Sequence, residues 1–255
     1  MNLPSSPSPW LLRVPPPSPG ALRLFCLPHA GSGAAAYAGW ASALGPQIEL
    51  MPVQPPGRET RLQEPPHADM ACLVQAMLQA IGPWCRGPYA VFGHSMGAHV
   101  AHALVLRLQA EGHELPQLLI ASGARAPHLP ARRPLLCEMP DAQLAAAIEE
   151  RYGARFEPEL RELLLMTLPT LRADLRVVEM REPMALAPLA VPLLVLAGAS
   201  DASVPLPDAR AWEGHTTEHF ELKVFPGGHF FPTTQREAVL GCLRRALGRW
   251  QGAWA

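Results

Sequence analysis

The stretch Pro88-Tyr89-Ala90-Val91-Phe92-Gly93-His94-Ser95-Met96-Gly97 decides how this chain folds. Its first five residues form an apolar run of the length of a short buried strand. Beyond it Val100, Leu104 and Leu108 recur every four residues, with Ala101 and Val105 alongside, as on one face of a helix. Between strand and helix stands Gly93-His94-Ser95-Met96-Gly97, the G-x-S-x-G pattern of a tight, strained turn that lifts a serine oxygen clear of a sheet. Glycine is needed on both sides because a larger side chain would collide with the neighbouring strand and helix. The spacing alone is a weak signal. The strand before it and the helix after it give it weight.

Working outward, the same alternation repeats. Residues 22–27, 48–53, 118–121, 191–197 and 220–225 read as strands, and 34–44, 69–81 and 235–250 as helices. Alternating strands and helices predict an α/β fold, a mostly parallel sheet flanked by helices, built from residues 21–124 and 186–255. Residues 125–185 break the rhythm. Asp141 is placed to cap a helix that Gly153 ends, Pro158 to open a second that Pro169 closes, and Thr170 to cap a third. Three consecutive helices without a strand predict an inserted helical lid. Residues 1–20 are rich in Pro and Ser and predict an extended, flexible lead-in.

Composition narrows the function classes. With 255 residues, 49% hydrophobic and 17% charged, the chain can bury one substantial core. A formal net charge of −1 leaves no basic surplus to displace counterions, which argues against nucleic acid as a partner. No basic N-terminal segment attracts a membrane. The most apolar stretch, 186–199, contains Pro188 and Pro192 and is too short to span a bilayer. Cys26, Cys72, Cys85, Cys137 and Cys242 are odd in number, widely spaced and lack a C-x-x-C, as expected of thiols in a reducing compartment. Met1-Asn2-Leu3-Pro4 does not open a signal peptide. The expected location is cytoplasmic.

An alcohol is a poor nucleophile at neutral pH and needs a base. After a serine on such a turn, the acid and then the histidine follow in chain order. Asp201 leaves the strand at 191–197 and is the expected acid; Asp208 lies beyond Pro205 and Pro207, and Asp174 falls in the helical insertion. His229 closes the turn Pro226-Gly227-Gly228-His229 after the last strand and is the expected base. His215 and His219 precede that strand, and His94 is expected to pack beneath the serine. His99 and His102 have a metal-binding spacing but no carboxylate or third ligand. Acyl chemistry also needs donors for a developing oxyanion, and the backbone N–H groups of Met96 and Ala30 are expected to supply them. No metal motif or dinucleotide fingerprint is read.

Pro28-His29-Ala30-Gly31, Pro56-Gly57-Arg58-Glu59, Gly93-His94-Ser95-Met96-Gly97, Leu171-Arg172-Ala173-Asp174, Asp201 with Val204-Pro205, Trp212 and Gly227-Gly228-His229-Phe230-Phe231 occur in that order. Together they resemble the type II (external, editing) thioesterases of nonribosomal peptide and polyketide synthesis, over residues 22–250. The resemblance implies an α/β-hydrolase fold with a helical lid. It implies hydrolysis of acyl groups from the phosphopantetheine arms of carrier proteins, clearing misprimed or stalled units, without a cofactor of the enzyme's own. Ser32 departs from the family, which continues there with a second glycine. Arg58 and the Arg172–Asp174 pair read as structural.

Leu163 and Met166, with Leu164 and Leu168, read equally as an apolar wall for a short acyl group and as a helix face packed on the main sheet. Arg125, Arg132, Arg133, Arg151 and Arg155 read equally as a surface that steers an acidic carrier protein and as a solvated face with no partner. A monomer is expected. The rival readings are a product-releasing thioesterase or general serine esterase, and a catalytically idle partner that docks on synthases. The free-standing length favours editing over release.

Overall fold

The computed structural model describes residues 8–12, 20–154, 158–181 and 186–251, with the side chains of 158–166 and 250–251 outside the description. The apolar runs become strands β1 (Leu22–Leu27), β2 (Ile48–Pro52), β3 (Tyr89–His94), β4 (Leu118–Ser122), β5 (Leu193–Gly198) and β6 (Phe220–Phe225). They pair in parallel throughout, in the order β2-β1-β3-β4-β5-β6.

Successive side chains on a strand face opposite ways, so a continuous apolar run serves a sheet covered on both faces. Phe25, Tyr89, Val91, Leu119 and Val195 enter the core on one face, and Leu24, Ala90, Phe92, Ile120 and Leu194 the core on the other. Helices cover both. Among the described residues they are α1 (Trp40–Leu44), α2 (Met70–Ile81), α3 (Met96–Ala110), α4 (Asp141–Tyr152), α5 (Pro158–Glu179), α6 (Leu206–Arg210), α7 (Phe231–Thr234) and α8 (Arg236–Gln251). Leu73, Met77 and Ile81 of α2, with Val100, Leu104 and Leu108 of α3, pack on the first face. Trp40 and Leu44 of α1, with Val239, Leu243 and Leu247 of α8, pack on the second. The amphipathic spacing of each helix thus settles which side it covers.

Several local expectations change. The helix expected over 34–44 divides into a 3-10 turn (Ala34–Tyr37) and α1, because Gly39 turns left-handed at φ 73° between them. The two helices expected on either side of Pro169 are one, α5, with the proline inside it. Pro169 is exposed, while Leu168, Leu171 and Leu175 are buried against Leu136, Leu144 and Ile148. Burying three leucines at about 1.5–3 kcal/mol each outweighs the roughly 3 kcal/mol that an interior proline costs. Thr170 therefore caps nothing; its hydroxyl donates to the Gly57 carbonyl at 2.6 Å. Asp141 begins α4, but its carboxylate accepts from Arg172 instead of capping the helix. Within the lead-in, Trp10 and Leu11 are buried and Leu11 bridges antiparallel to Val53, so that part is docked on the domain.

Candidate active site

The strand order reverses direction from β1, with β2 on one side and β3 on the other. In parallel sheets ligand sites form outside the carboxyl ends of the strands near such a point. The turns after β1, β3, β5 and β6 carry Ala30, Ser95, Asp201 and His229 to this edge.

Ser95 has φ 54° and ψ −115°, a conformation side-chain-bearing residues rarely adopt and one that costs about 1–3 kcal/mol. The surroundings hold it there. Its N–H donates to the Ser122 carbonyl at the end of β4 at 2.8 Å. A Cβ on Gly93 would lie 2.0 Å from the Gly97 carbonyl oxygen, and one on Gly97 would lie 2.2 Å from that of Leu27. Both obstacles are backbone, which explains glycine on either side of the serine.

The turns after β5 and β6 interlock. A Cβ on Gly198 would meet the Gly228 carbonyl oxygen at 2.5 Å, and the Ser200 N–H donates to the Gly227 carbonyl at 2.9 Å. This contact sets Asp201 beside His229. His229 Nδ1 lies 2.8 Å from Asp201 Oδ2, and Nε2 lies 3.0 Å from Ser95 Oγ. Burial would raise the Asp201 carboxyl, but donors from His229 and Ser203 outweigh it and hold the group below the usual carboxylate range. The carboxylate therefore stays charged and can accept from an N–H on Nδ1, the tautomer that leaves Nε2 to accept from the serine. These are the parts needed to deprotonate an alcohol as it attacks.

His94 packs beside this array, with its ring centroid 5.1 Å from that of His229 and its Nδ1 3.0 Å from Ser122 Oγ. Burial, then the neighbouring His229 and His29, push it well below the ordinary histidine range, so it is a neutral filler. Burial with His229 nearby lowers His29 to about 4. Tyr152, at the end of α4, lays its ring 4.7 Å from that of His229.

Two cavities meet at Ser95. One, of about 270 Å3, has apolar walls from Ile148, Ala154, Leu171, Leu175 and Phe230. The other runs past Met96 and His99 to Arg125, Arg132 and Arg181. Ala30 borders both.

The residue after Ala30 is fixed from a distance. The Gly31 N–H donates to Asp174 Oδ2 at 2.8 Å, and Arg58 grips the same carboxylate with two bonds of 2.6 and 2.8 Å. Arg58 also donates to the Ser32 and Pro56 carbonyls. The turns after β1 and β2 are thus pinned to α5.

This site sits in a chain whose residues 22–247 match the Thioesterase domain family. The chain belongs to that family. Among its relatives, thioesterase PikA5 of Streptomyces venezuelae is 36% identical over 229 residues, 89% of this chain and 81% of that one. The solved structure of the type II thioesterase BorB, from the borrelidin biosynthetic cluster, superposes with a TM-score of 0.82. It is 33% identical and covers 93% of this chain and 96% of that one. The chain is accordingly an α/β-hydrolase of the thioesterase type, as its motifs imply.

Linear gramicidin dehydrogenase LgrE of Brevibacillus parabrevis is also similar, 33% identical over 246 residues, 95% of this chain and 94% of that one. In this chain Gly31-Ser32-Gly33-Ala34-Ala35-Ala36 has the G-x-G-x-x-A spacing of a dinucleotide loop after a strand. In this thioesterase the N–H groups of Gly31, Ala34 and Ala35 donate to Asp174, Gln54 and Glu59. A Cβ on Gly33 would collide with Glu59 at 2.4 Å. The turn offers no open cradle for a pyrophosphate.

Other expected residues of the thioesterase fall as follows. Arg172 and Asp174 do not pair with each other; they bond Asp141 and Arg58, respectively. Arg125 pairs with Asp208 and Arg151 with Glu179, while Arg132 donates to the Ala202 carbonyl. Arg133 is exposed, and Arg155 lies outside the described residues. Leu163, Leu164 and Met166 belong to the part of α5 whose side chains are not described. His99 and His102 pack with Trp212 and His215, and no group of three metal-ligating side chains forms among the described residues. No helix among the described residues is long and apolar enough to cross a membrane. Sequence reading missed Ser203, whose N–H and hydroxyl both bond Asp201. The only signal was its position two residues after an aspartate, where such turns form.

Proposed function

We propose that this thioesterase hydrolyses acyl groups from the phosphopantetheine arms of carrier proteins in nonribosomal peptide or polyketide synthesis, in an editing role. The observation that carries the reading is the chain Asp201 Oδ2–His229 Nδ1 at 2.8 Å and His229 Nε2–Ser95 Oγ at 3.0 Å, closed beside an apolar cavity. His229 takes the Ser95 proton as Oγ attacks the thioester carbon. The N–H groups of Ala30 and Met96 receive the oxyanion; losing one such donor costs about 2.7–4 kcal/mol of barrier stabilisation. Collapse expels the thiol, which takes the proton from His229, and leaves an acyl-Ser95 ester. Water then attacks that ester with His229 again as base, and Ser95 recovers its proton.

A thioester is more electrophilic than an oxygen ester, so this sequence needs no cofactor. The cavity lined by Ile148, Leu171 and Leu175 suits the acyl group. The helices between β4 and β5 act as its lid, with Tyr152 above His229. The five free cysteines, four of them buried, suit a reducing cytoplasm. Carrier-bound acetyl, aminoacyl and long-chain groups should be compared with matched soluble thioesters and oxygen esters. Faster hydrolysis of short carrier-bound groups supports editing. Preference for a finished chain points to product release, and preference for soluble oxygen esters to a general esterase.

A further inference from the structure

Ser203 occupies a place in the proton path that the three-residue array does not include. Its hydroxyl donates to Asp201 Oδ1 at 2.6 Å, and its oxygen lies 3.0 Å from His229 Nδ1. Its N–H also donates to Oδ1, at 2.9 Å. Ser203, Asp201 and His229 are all buried, and Ser203 and His229 both border the cavity that runs to Arg125.

A hydroxyl has one hydrogen. The shorter contact, to a charged acceptor, claims it, and the lone pairs are left facing Nδ1. Nδ1–H then donates to two oxygens, Asp201 Oδ2 and Ser203 Oγ. With the proton on Nε2 instead, the bare Nδ1 would face both oxygens with no hydrogen between them. We infer that Ser203 is a positioning residue for the hydrolysis, fixing the His229 tautomer that leaves Nε2 free to accept from Ser95 and clasping the imidazolium once it forms. The inference rests on the Ser95–His229–Asp201 reading above.

The hydroxyl acts on the ring in two ways: its lone pairs face Nδ1, and its hydrogen bond to Asp201 disperses the carboxylate charge that the ring also meets. The test measures kcat, KM and the pH profile on an acetylated carrier protein for the wild type, Ser203→Ala, Ser203→Cys, Ser203→Thr and Ser95→Ala. The alanine variant should lose about tenfold in kcat with KM within about twofold. The acid limb of its kcat/KM profile should move, because the contacts to both Nδ1 and Asp201 are lost together. The cysteine variant, similar in volume but a weak hydrogen-bonder, should behave likewise and serves if alanine impairs folding. Threonine, which keeps the hydroxyl, should recover most of the rate. Wild-type kcat and profile in the alanine or cysteine variant, with Ser95→Ala inactive, would overturn this inference alone. Turnover by Ser95→Ala at the wild-type rate would overturn the underlying reading.

Discussion

His229 Nε2 stands 3.0 Å from Ser95 Oγ although the two residues are 134 positions apart in the chain. Glycines with no room for a side chain bring them together: Gly93 and Gly97 on either side of the serine, and Gly198 against the Gly228 backbone behind the histidine. The proposed chemistry depends on Asp201 holding the ring. Asp201→Asn preserves the shape but offers an N–H to Nδ1 and favours the wrong tautomer. Steady-state kinetics on an acyl-carrier thioester should show kcat reduced about 10,000-fold in a normally folded protein. A loss below tenfold would remove Asp201 from its assigned role.

The Arg58–Asp174 pair should matter for both stability and rate. Both side chains are buried, and Asp174 also holds the Gly31 N–H next to Ala30. Asp174→Ala leaves a guanidinium buried without its anion, which costs about 3–5 kcal/mol. Urea unfolding should report that loss, and kcat should fall further than KM rises because the Ala30 turn is released. Unchanged stability would show that the clamp is dispensable.

Acid should destabilise this fold early. Burial, followed by neighbouring positive groups, lowers His102 to about 3 and both His215 and His29 to about 4. His94 and His99 are likewise pushed well below the ordinary range, first by burial. The unfolded chain protonates each near the ordinary histidine value, while the folded chain resists until far lower pH. Their contribution is therefore complete above about pH 6.5 and shrinks as pH falls towards 4, by about 1.4 kcal/mol per pH unit for each histidine held neutral. Chemical denaturation from pH 7.5 to 4.5 should show this slope, and a flat profile would contradict it.

Much of this architecture is legible in the residues. Strands such as Tyr89–His94 are apolar on both faces, and the G-x-S-x-G, late aspartate and final glycine-rich histidine turn follow in order. Local patterns failed where a distant contact decides. Pro169 reads as a stop, yet Leu168, Leu171 and Leu175 gain more from burial than the helix loses. Asp174 reads as a partner for nearby Arg172, but its partner is Arg58, 116 positions away. Ser203 has no periodicity or motif to mark it; only the meeting of the β5 and β6 turns places its hydroxyl on His229. Side-chain-to-side-chain bonds of this kind depend on tertiary geometry that spacing does not encode.

In the proposed reaction Ser95 carries the acyl group between thioester and water. Mixing the protein with an acyl-carrier thioester, quenching in acid within milliseconds and mapping the adduct by peptide mass spectrometry tests it directly. One acyl adduct is expected, on the peptide containing Ser95, accumulating in a burst and absent from Ser95→Ala. Turnover at the wild-type rate in Ser95→Ala, or an acyl group on another residue that turns over at the kcat rate, would contradict it.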